Sequence, residues 1–291
     1  MKQILIASDL SERSQPALRR AVSLARQFGA RLLLLHAVDD DQPQAIVEAA
    51  CRATEATLRE ALRGVPVGDL AVAPTVSVIA GDPFQAIADQ AERHQAALIV
   101  MGKHRKRLLG DIFTGTTIER VMRLAGRPVL MVNRDSDASY AKVLAATDLS
   151  EPSAHALLTA RDLGLLDPAR ASVVHSFQPL GEGMMAYAGV ERERIDEHVM
   201  NNDRQARSAA AEFLRELGFE GLSARLLVEK GPPFAAIDAG VRQLQPDLLV
   251  IGTRGHGGLK HVLLGSVADE VLRKVNCDVL AVPPKTASPG P

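Results

Sequence analysis

At 291 residues the chain is long for one average domain and sized for two of about 150 residues each. Apolar residues make up 46% and charged residues 24%, with a net charge of -1, which excludes a disordered chain and bulk attraction to nucleic acid or membrane. The two cysteines, Cys51 and Cys277, form no disulfide framework or metal spacing, aromatics are 3% with no Trp to stack on single strands, and no apolar run is long enough to span a bilayer, so a cytoplasmic protein is expected.

In chain order, periodicity predicts strand 3–8, helix 13–28, strand 31–37, helix 43–63, strand 72–79, helix 83–94, strand 97–101, helix 115–125 and strand 128–132. Short apolar runs alternating with amphipathic helices read as an open, doubly wound α/β domain with a parallel sheet and helices on both faces. The pattern then repeats. Residues 4–12 match 143–151, and His36 matches His175 at the same offset; later, 81–87 match 231–237 and 97–102 match 247–252 at a larger one. The second half therefore carries an insertion between His175 and Gly231. Two repeated domains are expected, 1–134 and 141–284, joined by a linker 135–140 and followed by a tail 285–291.

The segment 252–266 is the most informative stretch. It follows the apolar strand 248–251, precedes an amphipathic helix, and carries Gly252, Gly255, Gly265 and Ser266. Glycines let a backbone approach an anion and adopt positive φ, and N–H groups at a helix start point at negative charge. Ligands of open parallel sheets bind beyond the carboxyl ends of the strands, which brings Asp148, after the first strand of this half, to the same loop. Asp9 and Gly102 repeat the arrangement in the first half. Asp9 and Asp148 could also serve as caps for the helices that follow.

The spacing Gly252, Gly255, Gly265, Ser266 resembles that of the universal stress protein family, and the resemblance extends over both halves. It implies a five-stranded sheet of order 3-2-1-4-5 in each half, with the final strands able to pair the two halves with each other or to form a homodimer. It further implies an ATP-binding stress-response protein, with Mg or Mn accompanying the nucleotide. The contacts it carries over are Ala146, Thr147, Asp148, Ser176, Ile251, Gly252, Arg254, Gly255, Gly265, Ser266, Val267 and Ala268. Asp148 and Ser176 would face the nucleoside, and the loop and helix N–H groups the phosphates. Lys260, His261 and Arg254 could add positive charge. No catalytic constellation and no P-loop ending are visible, so the chain reads as a nucleotide-dependent switch for a protein partner, with slow ATP hydrolysis or autophosphorylation as the enzymatic alternative.

The first half departs from the pattern. Gly102, Gly115 and Thr116 match, but Arg105 stands where the second glycine should be. A side chain there would occupy ligand space and, at positive φ, cost on the order of 1 kcal/mol, so weak or no ATP binding is expected. The alternative is that the basic run 103–107 holds phosphate in another pose; as a nucleic-acid patch it is too small, and a solvated loop is expected. His36 and His175 read as hydrogen-bonded strand-end residues, and His256 and His261 lack partners at metal-ligand spacing, so no metal site is expected. The extra segment 178–200, rich in Gly and Met, reads either as a lid or apolar contact surface able to recruit a protein or lipid-like ligand, or as a loop with an extended helix.

Overall fold

The apolar runs of both halves pair side by side into a single ten-stranded sheet. The structure, a computed structural model, describes residues 1–12, 14–103, 117–255 and 264–285. The first half runs β1 (Gln3–Ala7), α1 (Ser14–Phe28), β2 (Arg31–Val38), α2 (Gln44–Arg63), β3 (Thr75–Ala80), α3 (Pro83–Arg93), β4 (Leu98–Gly102), α4 (Thr117–Ala125) and β5 (Val129–Val132). The second runs β6 (Val143–Thr147), α5 (Glu151–Asp162), β7 (Ala171–Phe177), α6 (Glu182–Tyr187), α7 (Arg192–Glu216), β8 (Leu226–Lys230), α8 (Pro233–Leu244), β9 (Leu248–Gly252), α9 (Ser266–Lys274) and β10 (Asp278–Val282).

Strand order is β3-β2-β1-β4-β5 in the first half and, in mirror sequence, β10-β9-β6-β7-β8 in the second, so each half has the expected 3-2-1-4-5 order. Within each half all pairs are parallel. The exception is the seam, where β5 and β10 pair antiparallel through Leu130 and Leu280. An antiparallel seam turns the second half's strands over relative to the first. The carboxyl ends of the two sets of parallel strands therefore lie on opposite edges of the sheet.

Alternation along each buried strand divides the core into two layers. Ile4, Ile6, Leu32 and Leu34 face one side with Val143, Ala145 and Phe219, while Leu5, Leu33, Ile99 and Val279 face the other with Leu144 and Leu249. Both layers run across the seam, so apolar burial, worth about 25 cal/mol per Å², acts across the junction as well as within each half. Among the described residues no helix is long and apolar enough to cross a membrane.

The segment expected to link the halves is anchored. Tyr140 donates its hydroxyl to Asp278 Oδ2 at 2.7 Å, and Arg20 of α1 lies 4.3 Å from the Tyr140 ring centroid and 3.3 Å from the same carboxylate. Asp278 Oδ1 accepts from the backbone N–H of Asn133 and Arg134 at 2.9 and 3.1 Å, and Asn133 Nδ2 donates to Cys277 O at 2.7 Å. Asp278 is completely buried and Arg20 nearly so. Burial, followed by the neighbouring Asp278 charge, pushes the Tyr140 phenol well above its ordinary pKa, so it is held as a neutral donor.

The insertion in the second half forms the short helix α6 and a 25-residue α7, against 20 residues in α2. Lys230 Nζ reaches Glu182 Oε1 at 2.5 Å, tying α6 to the end of β8, yet Leu180, Met184 and Tyr187 face solvent. The extended helix drawn from the sequence for 178–200 is thus realised, with exposed apolar side chains on the segment that precedes it.

Candidate functional site

The loop between β6 and α5 is built around a strained residue. Leu149 has φ +63°, a region that costs an L side chain roughly 1 kcal/mol, and Leu10 repeats it at +60° in the first half. Local hydrogen bonds offset the strain: Thr147 Oγ1 accepts from Leu149 N–H at 3.0 Å and touches Ser153 Oγ at 2.9 Å. Asp148 Oδ1 accepts from the Ser150 N–H at 3.1 Å and from the Ser150 hydroxyl, while Ser150 Oγ accepts from Ser153 N–H at 3.3 Å. The helix cap is therefore Ser150, correcting the expectation that Asp148 caps α5. Asp148 belongs to the turn before the cap, its second oxygen directed toward Gly255. Ser150→Ala should lower the unfolding free energy by about 1 kcal/mol, read by urea titration, because α5 loses its cap and Asp148 one of its anchors.

Facing this turn is the loop after β9. Thr253 N–H donates to Val282 O at 3.0 Å and Thr253 O accepts from Gly265 N–H at 2.7 Å, so the two ends of the loop are pinned together. A Cβ on Gly255 would lie 2.4 Å from Asp148 Oδ2, and one on Gly252 3.2 Å from Pro152 O. The expectation of positive φ is not met: Gly252, Gly255 and Gly265 all lie outside the left-handed region. Close approach is what demands glycine at 255. Residues 256–263, including Gly257, Gly258, His256, Lys260 and His261, lie outside the described residues.

Helix α9 opens at the other side of the same space. Its N-cap, Gly265, has no side chain to bond the first turn, and the first helical hydrogen bond runs from Asp269 N–H to Gly265 O at 3.0 Å. The N–H groups of Ser266, Val267 and Ala268 precede it, carrying the partial positive charge of the helix end.

Together these elements enclose a cavity of about 570 Å³. All twelve residues named from the sequence line it: Ala146, Thr147, Asp148, Ser176, Ile251, Gly252, Arg254, Gly255, Gly265, Ser266, Val267 and Ala268. Sequence reasoning missed Ser153, Val174, Pro233, Ala236, Ile237, Thr253 and Leu264. The repeat containing Pro233 and Ile237 was visible, but its orientation toward the cavity was not. Thr253 is 1% exposed, and its Oγ1, like Arg254 Nε, is buried with no hydrogen-bond partner among the described residues. Buried polar atoms are rarely left unpaired, and both of these belong to residues of the cavity lining. Asp148 is the one carboxylate on the described lining, and no histidine accompanies it.

The strand-end histidines are hydrogen-bonded, as expected: His175 Nδ1 lies 3.0 Å from Thr147 O and His36 Nδ1 2.7 Å from Ser8 O. They brace β7 against β6 and β2 against β1. A smaller cavity of about 400 Å³ occupies the matching place in the first half, lined by Asp9, Gly102 and Lys103 among others. Arg105, Lys106, Arg107, Gly115 and Thr116 lie outside the described residues.

The family model for the universal stress protein family matches residues 1–133 and 139–283. Universal stress protein E of Salmonella typhi is 27% identical over 307 aligned positions, covering 97% of this chain and 94% of that protein. Among solved structures, a universal stress protein from Archaeoglobus fulgidus DSM 4304 matches with a TM-score of 0.67 at 21% identity, over 96% of this chain and 97% of that one. A functionally unknown protein from Pseudomonas aeruginosa PAO1 matches with a TM-score of 0.65 at 23% identity, over 97% and 92% of the two chains. At such identities the structural likeness concerns the fold.

Proposed function

Since the chain belongs to the universal stress protein family, we propose that its second half, taken as residues 141–284, binds ATP in the larger cavity and that occupancy acts as a switch in a cytoplasmic stress response. The observation that carries this reading is the pairing, in one cavity, of the Asp148 carboxylate with the uncapped start of α9. The carboxylate accepts hydrogen bonds from the nucleoside. The N–H groups of Ser266, Val267 and Ala268 and the Ser266 hydroxyl stabilise phosphate oxygens. Mg or Mn would neutralise part of the phosphate charge. With one carboxylate and no histidine on the described lining, that cation enters on the phosphates with its waters instead of occupying a site made by the protein.

Among the described lining residues no carboxylate pair or nucleophile with an adjacent base stands ready to activate water, which favours binding over turnover. Calorimetric titration of MgATP into the intact chain is expected to show one saturable site. Ser266→Ala should weaken it about tenfold, the loss of one hydrogen bond to a charged group. Absence of saturable binding by the intact chain would overturn the reading.

The switch has a route through the second half. Ser176 lines the cavity near the end of β7, and Leu180 begins the exposed apolar surface of α6 four residues later. His198 Nε2, 2.9 Å from Leu180 O, fastens that segment to α7. Saturating ATP should slow proteolytic cleavage within 178–191; an unchanged cleavage pattern would remove the switch while leaving the binding site in place.

A further inference from the structure

We propose that the two halves together hold a compact oxyanion of the phosphate or sulfate class in a small cavity at one end of the β5–β10 seam, beside His155 and Lys285. The antiparallel register centres the seam on Leu130 and Leu280, so a local twofold relates its two ends. By that relation Asp278 matches Pro128, Asn133 matches Pro283, Arg134 matches Pro284 and Asp135 matches Lys285. One end is closed by the chain's own carboxylates. Asp278 accepts from the N–H groups of Asn133 and Arg134 and faces Arg20, while Asp135 accepts from Arg19 Nε and Nη2 at 2.8 and 2.6 Å.

At the opposite end each of these features is exchanged. Pro128, Pro283 and Pro284 bring neither a carboxylate nor an N–H, and Lys285 brings a cation where Asp135 brings an acid. On α5, Leu158 and Thr159 stand where α1 has Arg19 and Arg20. What remains is a cavity of about 240 Å³, lined by Gly126 and Pro128 from the first half and by His155, Val282 and Lys285 from the second. Lys285 has no ion pair among the described residues, and the one hydrogen bond of the His155 ring there is a long one, 3.4 Å from Nδ1 to Thr159 Oγ1. Burial, then the Lys285 ammonium, lower the His155 pKa, and Glu151 opposes them. Arg127, half-buried, lies between the lining residues Gly126 and Pro128.

Two groups able to carry positive charge thus share a space too small for a drug-sized ligand, which suits an ion of a few atoms. An oxyanion there supplies what Asp278 supplies at the closed end: a counter-charge and an acceptor, in reach of both halves. It also offsets the repulsion between Lys285 and a protonated His155, so it raises the His155 pKa and binds more tightly as pH falls through that value.

The test follows the His155 C2–H resonance of the intact chain by proton NMR, assigned by its loss in His155→Gln. Sodium sulfate is titrated at constant ionic strength against sodium chloride. Sulfate keeps its charge across the range in which histidine titrates, so any pH dependence belongs to the protein. The expected result is a saturable shift, tighter at about pH 6 than at about pH 8, with the His155 pKa raised at saturation. Lys285→Met should weaken sulfate binding about fivefold, and saturating MgATP should leave it in place. A shift no larger than chloride produces, or equal affinity in Lys285→Met, would overturn the proposal. So would a response abolished by MgATP, since that would put the anion in the larger cavity. Failure of MgATP to bind would remove the ATP reading of the second half, while a saturable, Lys285-dependent sulfate shift would still support the seam site.

Discussion

Gly255→Arg is expected to weaken ATP binding at least about 100-fold, or about 2.8 kcal/mol, in calorimetric titration. The first atom of the new side chain is enough to begin the damage, since a Cβ at this position falls 2.4 Å from Asp148 Oδ2. Relief requires the carboxylate to leave the turn it makes with Ser150, or the loop after β9 to move away from the cavity. Either movement separates the two walls that ATP would bridge. The remainder of the arginine then directs its guanidinium at Asp148, the carboxylate assigned to the nucleoside, and fills space the ligand requires. Gly255→Ala isolates the contribution of the Cβ and should fall between, at about tenfold. Affinity of Gly255→Arg within about a factor of three of the parent would show that the close approach at 255 has no bearing on binding.

The same contact gives physical content to the difference between the halves. Arg105 occupies the position matching Gly255, a contrast that stands on the sequence because 105 lies outside the described residues. Within the described residues the asymmetry appears independently, in Ile118 against Ala268 and in the smaller cavity. The two cavities also open on opposite edges of the sheet, as the antiparallel β5–β10 pairing requires. Two nucleotides bound there could not share contacts, so any coupling between the halves has to pass through the seam.

Much of the architecture was legible because it is local. Alternating apolar strands and amphipathic helices announce a parallel sheet, and the internal repeat announces two copies of it. The predicted strand 31–37 is observed as Arg31–Val38 and the predicted helix 43–63 as Gln44–Arg63. The loop glycines drew attention to the correct wall, although for a reason that does not hold at Gly255: close packing against a carboxylate more than 100 residues away takes the place of positive φ. Leu10 and Leu149, in the turns after β1 and β6, do adopt positive φ, which no propensity would select. Their conformation is held by Ser8 and Thr147 hydroxyls, and the capping role expected of Asp148 passes to Ser150. Thr253 gave no signal at all, since an unpaired hydroxyl is visible only once its surroundings are folded. The polar character of 135–140 indicated a connection between halves but not its anchoring, which depends on partners as distant in sequence as Tyr140 and Asp278.

That anchoring leads to the largest expected effect on stability. Asp278→Ala should lower the unfolding free energy by about 3–5 kcal/mol in urea titrations followed by circular dichroism. The carboxylate is 0% exposed, accepts from Asn133 N–H, Arg134 N–H and the Tyr140 hydroxyl, and lies 3.3 Å from Arg20 Nε. Removing it leaves the Arg20 guanidinium, 3% exposed, without its counter-charge, and three donors without an acceptor. The penalty therefore comes chiefly from the buried groups left behind. This separates it from the intrinsic strength of the ion pair. Replacing both partners, Arg20→Met with Asp278→Leu, should recover part of the loss, giving a coupling energy of about 0.5–3 kcal/mol in the double-mutant cycle. The Tyr140 phenol adds a pH signature. Its pKa is raised in the folded chain, so its contribution is fully present below the ordinary phenol value of about 10 and is lost as pH rises through the folded value. Tyr140→Phe should accordingly flatten the loss of stability above about pH 10. A cost below about 1 kcal/mol for Asp278→Ala would mean that apolar packing across β5 and β10 alone holds the halves together, and that the buried polar cluster only sets their register.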